Sequence, residues 1–234
     1  MRRLQAVKEM RLASSAAPTR AFADKPYLFF STPQTENNYL CIPEVSSERR
    51  KYIPIGFMPS TIIAANTVVI VSDATLYHFG ILTSKVHMVW MRTVAGRLKS
   101  DYRYAGSIVY NNFPWPELDE RTPASGLQTK DERGESCENK FTCFHDRADQ
   151  SCMECKDERK LRIEATAQAI LDVHAKYPDA SLADLYDDLT MPADLRKAHT
   201  ENDRAVMEAY GFSSKMTEDE IVAELFKMYE KLTK

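Results

Sequence analysis

Glycine is scarce in this chain: only seven occur in 234 residues, and no two lie closer than eight positions apart. A glycine-rich loop that would cradle phosphate or a dinucleotide is therefore excluded. No run approaches the roughly 18 consecutive apolar residues of a membrane span, and the start MRRLQAVKEMRLAS is amphipathic rather than a signal peptide. With 44% hydrophobic and 28% charged residues the composition is that of a globular protein, which rules out disordered and collagen-like classes. The chain reads as cytoplasmic, without a membrane partner. It also lacks a nucleophile and a base at any spacing that would argue for an independent hydrolase.

What is present is unevenly distributed. Residues 1 to 116 hold 14 Lys and Arg against 7 Asp and Glu, a net +7, whereas residues 117 to 234 hold 17 against 27, a net −10. A basic half is the footprint of a surface that meets phosphate, and an acidic half cannot be a general DNA clamp. Chance segregation of charge is the competing reading.

The texture changes along the chain as well. Residues 1 to 12 read as a helix with Leu4, Val7 and Leu12 near one face. Short β-rich runs follow, YLFF (27 to 30), NYLCI (38 to 42), KYIPI (51 to 55), TIIA (61 to 64) and TVVIV (67 to 71), punctuated by turn residues. Residues 82 to 98 show helical spacing, with Ser84 as N-cap, Val86, Val89 or Trp90, and Val94 inward, and Gly96 at the end. Residues 98 to 104 alternate as a strand, and residues 107 to 116 end in two prolines that no regular helix carries. Beyond a polar, cysteine-rich stretch, four helical segments are expected. The first has Ile163, Ala167, Ile170, Leu171 and His174 on one stripe. The second opens on a Ser181 to Asp184 capping box, and the third runs from Pro192 to Tyr210. The last opens on a Thr217 to Glu220 box and presents Ile221, Leu225, Met228 and Leu232 inward. The expected class is α+β: a mixed β-rich domain over residues 1 to 116, a connector or insertion over 117 to 156, and a small α-helical bundle over 157 to 234.

Several strings carry a resemblance. VSSERRKYIPIGF (45 to 57), ATLYHFGILTSKVHMVWMRTVAGRLKSDYRY (74 to 104) and IVYNNFPWP (108 to 116) resemble the target-recognition domain of MmeI-like enzymes. These are single-chain type II restriction-modification proteins, related to the YeeA group, that methylate adenine N6 within a specific DNA sequence. YPDASLADLYDDLTMP (177 to 192) and LRKAHTENDRAVMEAYGF (195 to 212) resemble the C-terminal helical domain of the same family. The resemblance implies double-stranded DNA as a partner. It also implies that the catalytic core lies elsewhere, because that core needs a glycine-containing AdoMet loop and an Asn or Asp followed by two prolines and an aromatic. NNFPWP does not supply that turn, since Phe113 separates Asn112 from Pro114 and Trp115 separates the prolines. No endonuclease motif is convincingly placed either. AdoMet is thus expected only on a methyltransferase core, whether on the same longer chain or on a separate subunit, and this chain is read as beginning inside the recognition domain.

The most informative segment is residues 99 to 103. In a strand, Lys99, Asp101 and Arg103 share one face, opposite Leu98, Ser100, Tyr102 and Tyr104. Lys and Arg donate to guanine O6 and N7 while Asp accepts from cytosine N4, so a Lys and Asp pair two residues apart can grip one G·C pair. The resemblance assigns base reading to this stretch; a solvated edge strand with a local ion pair is the alternative. Ser46, Ser47, Arg49, Arg50 and Lys51 suit phosphate contact, which positions a protein without reading sequence, although a solvated loop would look the same. His78, His87, Trp90, Trp115 and Cys41 are assigned to packing.

Cys137, Cys143, Cys152 and Cys155, with His145 able to replace Cys143, have a donor set that satisfies tetrahedral zinc. The alternative is an acidic insertion with free thiols, since disulfides do not persist in the cytosol. No other cofactor is expected in this chain. Two functional classes stand at this point: a DNA-binding specificity module, and a protein-protein interaction module whose helical bundle binds a partner without reading DNA. If the four cysteines form one site, elemental analysis of chain purified without chelators will find about one zinc per chain; stoichiometric absence would leave the free-thiol insertion.

Overall fold

The computed structural model describes residues 2 to 29, 35 to 118 and 157 to 234. The first helix, α1 (Arg2–Leu12), is followed by the short α2 (Ala17–Ala21), and neither contains a buried residue. The Arg11 guanidinium ties the two together by donating to the carbonyls of Phe22, Lys25 and Leu28 at 2.7 to 3.1 Å. Those bonds hold Tyr27, Leu28 and Phe29 in turns, exposed, instead of in the strand expected from YLFF.

The strands β1 (Tyr39–Pro43), β2 (Val45–Ser46), β3 (Gly56–Met58) and β4 (Val68–Ser72) come next. β1 lies between β3 and β4, antiparallel to both, with Leu40 opposite Phe57 and Val71. Pro43, which has no N–H to continue a ladder, closes β1. Glu44 then bridges two sheets, since its N–H donates to Thr67 and its carbonyl accepts from Tyr104. Two expected strands are absent. Residues 51 to 55 are irregular, yet Tyr52, Ile53 and Ile55 are buried, so their apolar character serves the core and not a ladder. Residues 61 to 64 are irregular with Ile62 and Ile63 exposed.

The helix expected over 82 to 98 is two helices, α3 (Leu76–Leu82) and α4 (Lys85–Val94). Ser84 breaks them apart and caps α4, its hydroxyl accepting from the His87 N–H. Val86, Val89 and Trp90 point into the core as their spacing predicts. Gly96 does not end the helix but opens a hairpin, β5 (Gly96–Leu98) and β6 (Asp101–Arg103), which pairs with β2 to give the order β2-β6-β5. Gly106–Tyr110 then forms one π-helical turn and leads into the irregular Pro114 to Pro116 segment.

The four expected helices are present as α5 (Glu158–His174), α6 (Leu182–Leu185), α7 (Ala193–Ala209) and α8 (Glu218–Thr233). Both capping boxes form, and Gly211 at φ +70° terminates α7 through the left-handed backbone that glycine favours. Leu232 departs from expectation, lying exposed in the last turn of α8. The architecture is α+β, with sheets in the first stretch and helices in the last, and one hydrophobic core runs through both.

The two stretches meet closely at Gly80 on α3. A Cβ there would lie 2.6 Å from Ile163 Cγ2 and 3.2 Å from both the Ala167 Cβ and the Asn202 Oδ1. The Asn202 amide donates to the Gly80 carbonyl at 2.8 Å, and its own oxygen accepts from Thr166 at 3.0 Å. Gly80→Ala is expected to destabilise by a net of about 1 to 2 kcal/mol, because overpacking outweighs the helix preference of alanine. Urea unfolding checks this, and a variant as stable as the parent would contradict the close approach of α3 and α5.

Candidate nucleic-acid interface

Residues 98 to 104 are not one continuous strand. Leu98 pairs with Asp101 across a two-residue turn, Lys99 and Ser100, in which Lys99 alone has positive φ (57°). Positive φ at the first turn position gives the backbone handedness that suits a tight hairpin. A lysine in this backbone region costs about 1 to 2 kcal/mol relative to an ordinary conformation. The hairpin changes the shared face. Asp101 and Arg103 do lie on one face of β6, but their cross-strand companions are Leu98 and Gly96, and Val45 lies opposite Arg103 on β2. Lys99 sits at the tip and is not the third member of a strand face.

The opposite face holds the hairpin to the protein. Tyr102 is buried between Ser46 and Arg97, and the Arg97 guanidinium lies 3.8 Å from the Tyr102 ring centroid. Arg97 also donates to the Ser100 carbonyl at 2.7 Å, closing the turn, and meets Glu48 at 3.3 Å. Arg97 and Glu48 thus join the hairpin to the basic loop, a role that sequence reading did not assign. Their registration depends on the turn at Lys99, which no local charge pattern reveals. Behind the hairpin, Tyr104 shares a 3.0 Å hydrogen bond with Nε2 of the buried His87 on α4.

The five residues of the basic loop do not behave alike. Ser46 is 3% exposed with its hydroxyl inside the fold, and the Arg50 guanidinium donates to the Ala183 carbonyl at 3.3 Å while its buried Nε has no partner. Both belong to the frame of the loop, because strand pairing fixes one and α6 holds the other. Ser47, Arg49 and Lys51 are left at the surface, with the Lys51 ammonium 5.0 Å over the Tyr52 ring. Among the described residues the side chains of Lys99, Asp101, Arg103 and Arg49 have no hydrogen bond or ion pair. The local Lys99–Asp101 ion pair, the bland alternative for this segment, does not form. Four charged groups therefore stand free on neighbouring surfaces that Glu48 and Arg97 link.

The residues assigned to packing are found there. His87 and Trp90 are buried, the Trp90 indole donating to the Val109 carbonyl at 3.0 Å. His78 accepts from the Thr75 N–H at the start of α3, Trp115 is half-buried against Tyr77 and Phe113, and Cys41 is half-buried in β1. Cys137, Cys143, His145, Cys152 and Cys155 lie outside the described residues. Among the described residues no group of three or more His, Cys, Asp or Glu could hold a metal ion, and no helix is long and apolar enough to cross a membrane.

Residues 1–117 match the MmeI target recognition domain, and residues 155–234 match the MmeI C-terminal domain. This chain belongs to the MmeI family. It is 33% identical over 231 residues to DNA methyltransferase A of Bacillus subtilis (strain 168), covering 99% of this chain but 22% of that protein. The Type IIL restriction-modification enzyme MmeI, solved in complex with DNA, is 40% identical and superposes with a TM-score of 0.77, covering 98% of this chain and 26% of that one. The MmeI-like chain described here is thus a recognition and C-terminal region that spans about a quarter or less of either relative.

Burial pushes His87 down to about 3 and His199, on α7, to about the same value. Both are neutral in the folded state. Between pH 6.5 and 3 the unfolded chain binds the extra protons, so stability is fully present above about pH 6.5 and is lost as pH falls toward 3, by up to about 1.4 kcal/mol per pH unit for His87. Urea midpoints measured across this range should fall with acid, and His87→Gln should flatten the slope. An unchanged slope in that variant would mean that His87 protonates freely in the folded protein.

Proposed function

We propose that this chain is the sequence-reading module of an adenine-specific, MmeI-like DNA methyltransferase or restriction enzyme, with the catalytic core and its AdoMet supplied by the rest of a longer polypeptide acting in the cytoplasm. One observation carries the reading: Lys99, Asp101 and Arg103 stand unpaired on the β5–β6 hairpin, which β2 and Arg97 brace beside a basic loop. A β-ribbon fits the major groove, where an ammonium donor suits guanine and a carboxylate acceptor suits cytosine. Ser47, Arg49 and Lys51 are the phosphate contacts, with Ser46 and Arg50 holding their loop. That the relative MmeI was solved bound to DNA supports this assignment. Zinc on Cys137, Cys143, Cys152 and Cys155, or on His145 in place of Cys143, is a separate proposal that rests on donor spacing alone.

Lys99 at the tip and Asp101 at the first position of β6 address the two bases of one G·C pair in this reading, and Arg103 reads a neighbouring base. Exchanging the signs, Lys99→Glu with Asp101→Arg, is expected to reverse the orientation of the preferred pair, each lost contact costing about 1 to 3 kcal/mol at its own position. Arg49→Gln should weaken binding to all sequences alike. Mapping of methylated sites by the complete enzyme carrying the exchange is the measurement; an unchanged site at every position would refute base reading by this hairpin.

A further inference from the structure

The basic loop is held by the C-terminal helices, although the two are more than a hundred residues apart in sequence. Three consecutive loop residues are tethered. Arg50 donates to the Ala183 carbonyl of α6 at 3.3 Å. The Lys51 carbonyl accepts from Arg92 at 3.4 Å, and the same guanidinium meets Glu218 of α8 at 2.9 Å. The Tyr52 hydroxyl donates to Asp203 Oδ2 of α7 at 2.7 Å, and its ring stacks on His199 at 4.2 Å with an interplanar angle of 20°. His199 in turn shares a 2.8 Å hydrogen bond with Tyr186, which shares one of 3.0 Å with His174. Asp203 is itself buried, and its second oxygen accepts from the Lys85 N–H at 2.6 Å, at the first turn of α4. One carboxylate therefore fixes the loop relative to the helix that leads to the hairpin.

These tethers leave the Arg49 side chain and the Lys51 ammonium outside. A loop pinned at residues 50, 51 and 52 presents the two cations at a set spacing, so less freedom is lost when they meet the backbone of a duplex. The half of the chain that contains these helices is strongly acidic, so a direct phosphate clamp is not its natural role.

We infer that the C-terminal helical segment takes part in DNA recognition by setting the phosphate-contacting loop, with Asp203 as the positioning residue and the Tyr52 hydroxyl as its handle. This rests on the proposed phosphate role of Arg49 and Lys51, and the test separates the two. Binding of the full chain to double-stranded DNA is measured from about 50 to about 200 mM salt, where each phosphate contact accounts for about a threefold fall in affinity. Arg49→Gln with Lys51→Gln should flatten the salt dependence by about two contacts. Tyr52→Phe, which removes one hydroxyl and keeps the ring on His199, should flatten it by one to two contacts while thermal unfolding stays a single cooperative transition. Asp203→Ala should do the same, and Asp203→Asn, whose oxygen still accepts from the Lys85 N–H while its NH2 donates to the Tyr52 hydroxyl oxygen, should recover most of the loss. A lowered melting temperature alone does not change the slope. If Tyr52→Phe leaves the slope unchanged while the Arg49 and Lys51 pair flattens it, the helices merely stabilise the fold and the positioning role is wrong. If the Arg49 and Lys51 pair leaves the slope unchanged, the phosphate assignment fails and the positioning role falls with it.

Discussion

Two adjacent residues on α7 hold the protein together as a single body. Asn202 satisfies the Gly80 carbonyl where three helices approach too closely for any side chain, and Asp203 satisfies the Lys85 N–H and the Tyr52 hydroxyl. Both polar groups are buried, so each hydrogen bond is expensive to leave unmade. A carboxylate is tolerable at that depth because each oxygen has a donor, the Lys85 N–H at the N-terminal end of α4 and the Tyr52 hydroxyl. The packing of α3 and α4 against α5 and α7 follows from this junction.

From there the geometry runs outward to the interface. α4 carries His87, which holds Tyr104 at the root of β6, and Tyr102 on β6 is covered by Arg97. The hairpin is thereby stiff on its inner face and free on its outer one. Stiffness matters for reading bases, because a contact held in place discriminates between donors and acceptors, whereas a mobile one adapts to either. The charge segregation along the chain has the same logic. The basic half supplies the outward cations, and the acidic half supplies carboxylates such as Asp203 and Glu218 that brace the inner side.

Much of the helical half was legible because its signals are local. Capping boxes at Ser181 and Thr217 and the apolar spacing of Ile163, Ala167 and Ile170 act within one or two turns, so residue order alone reveals them. The strands over 39 to 43 and 68 to 72 were legible for a similar reason. The apolar runs at 51 to 55 and 61 to 64 misled, since short apolar segments are equally compatible with a strand and with irregular chain. Tyr52, Ile53 and Ile55 belong to the core without belonging to a sheet.

The sequence by itself determined the α+β class, the uneven charge, the scarcity of glycine and which charged residues are candidates for meeting DNA. Only the tertiary structure decided how those residues are arranged. Whether residues 98 to 104 run straight or fold back depends on the backbone at Lys99 and on pairing with β2, more than fifty residues earlier. Whether Arg50 faces solvent or the fold depends on a carbonyl 133 residues away in α6. Alternation specifies side-chain direction only after a strand's partners and register are known, and those are set by contacts that the local sequence does not contain.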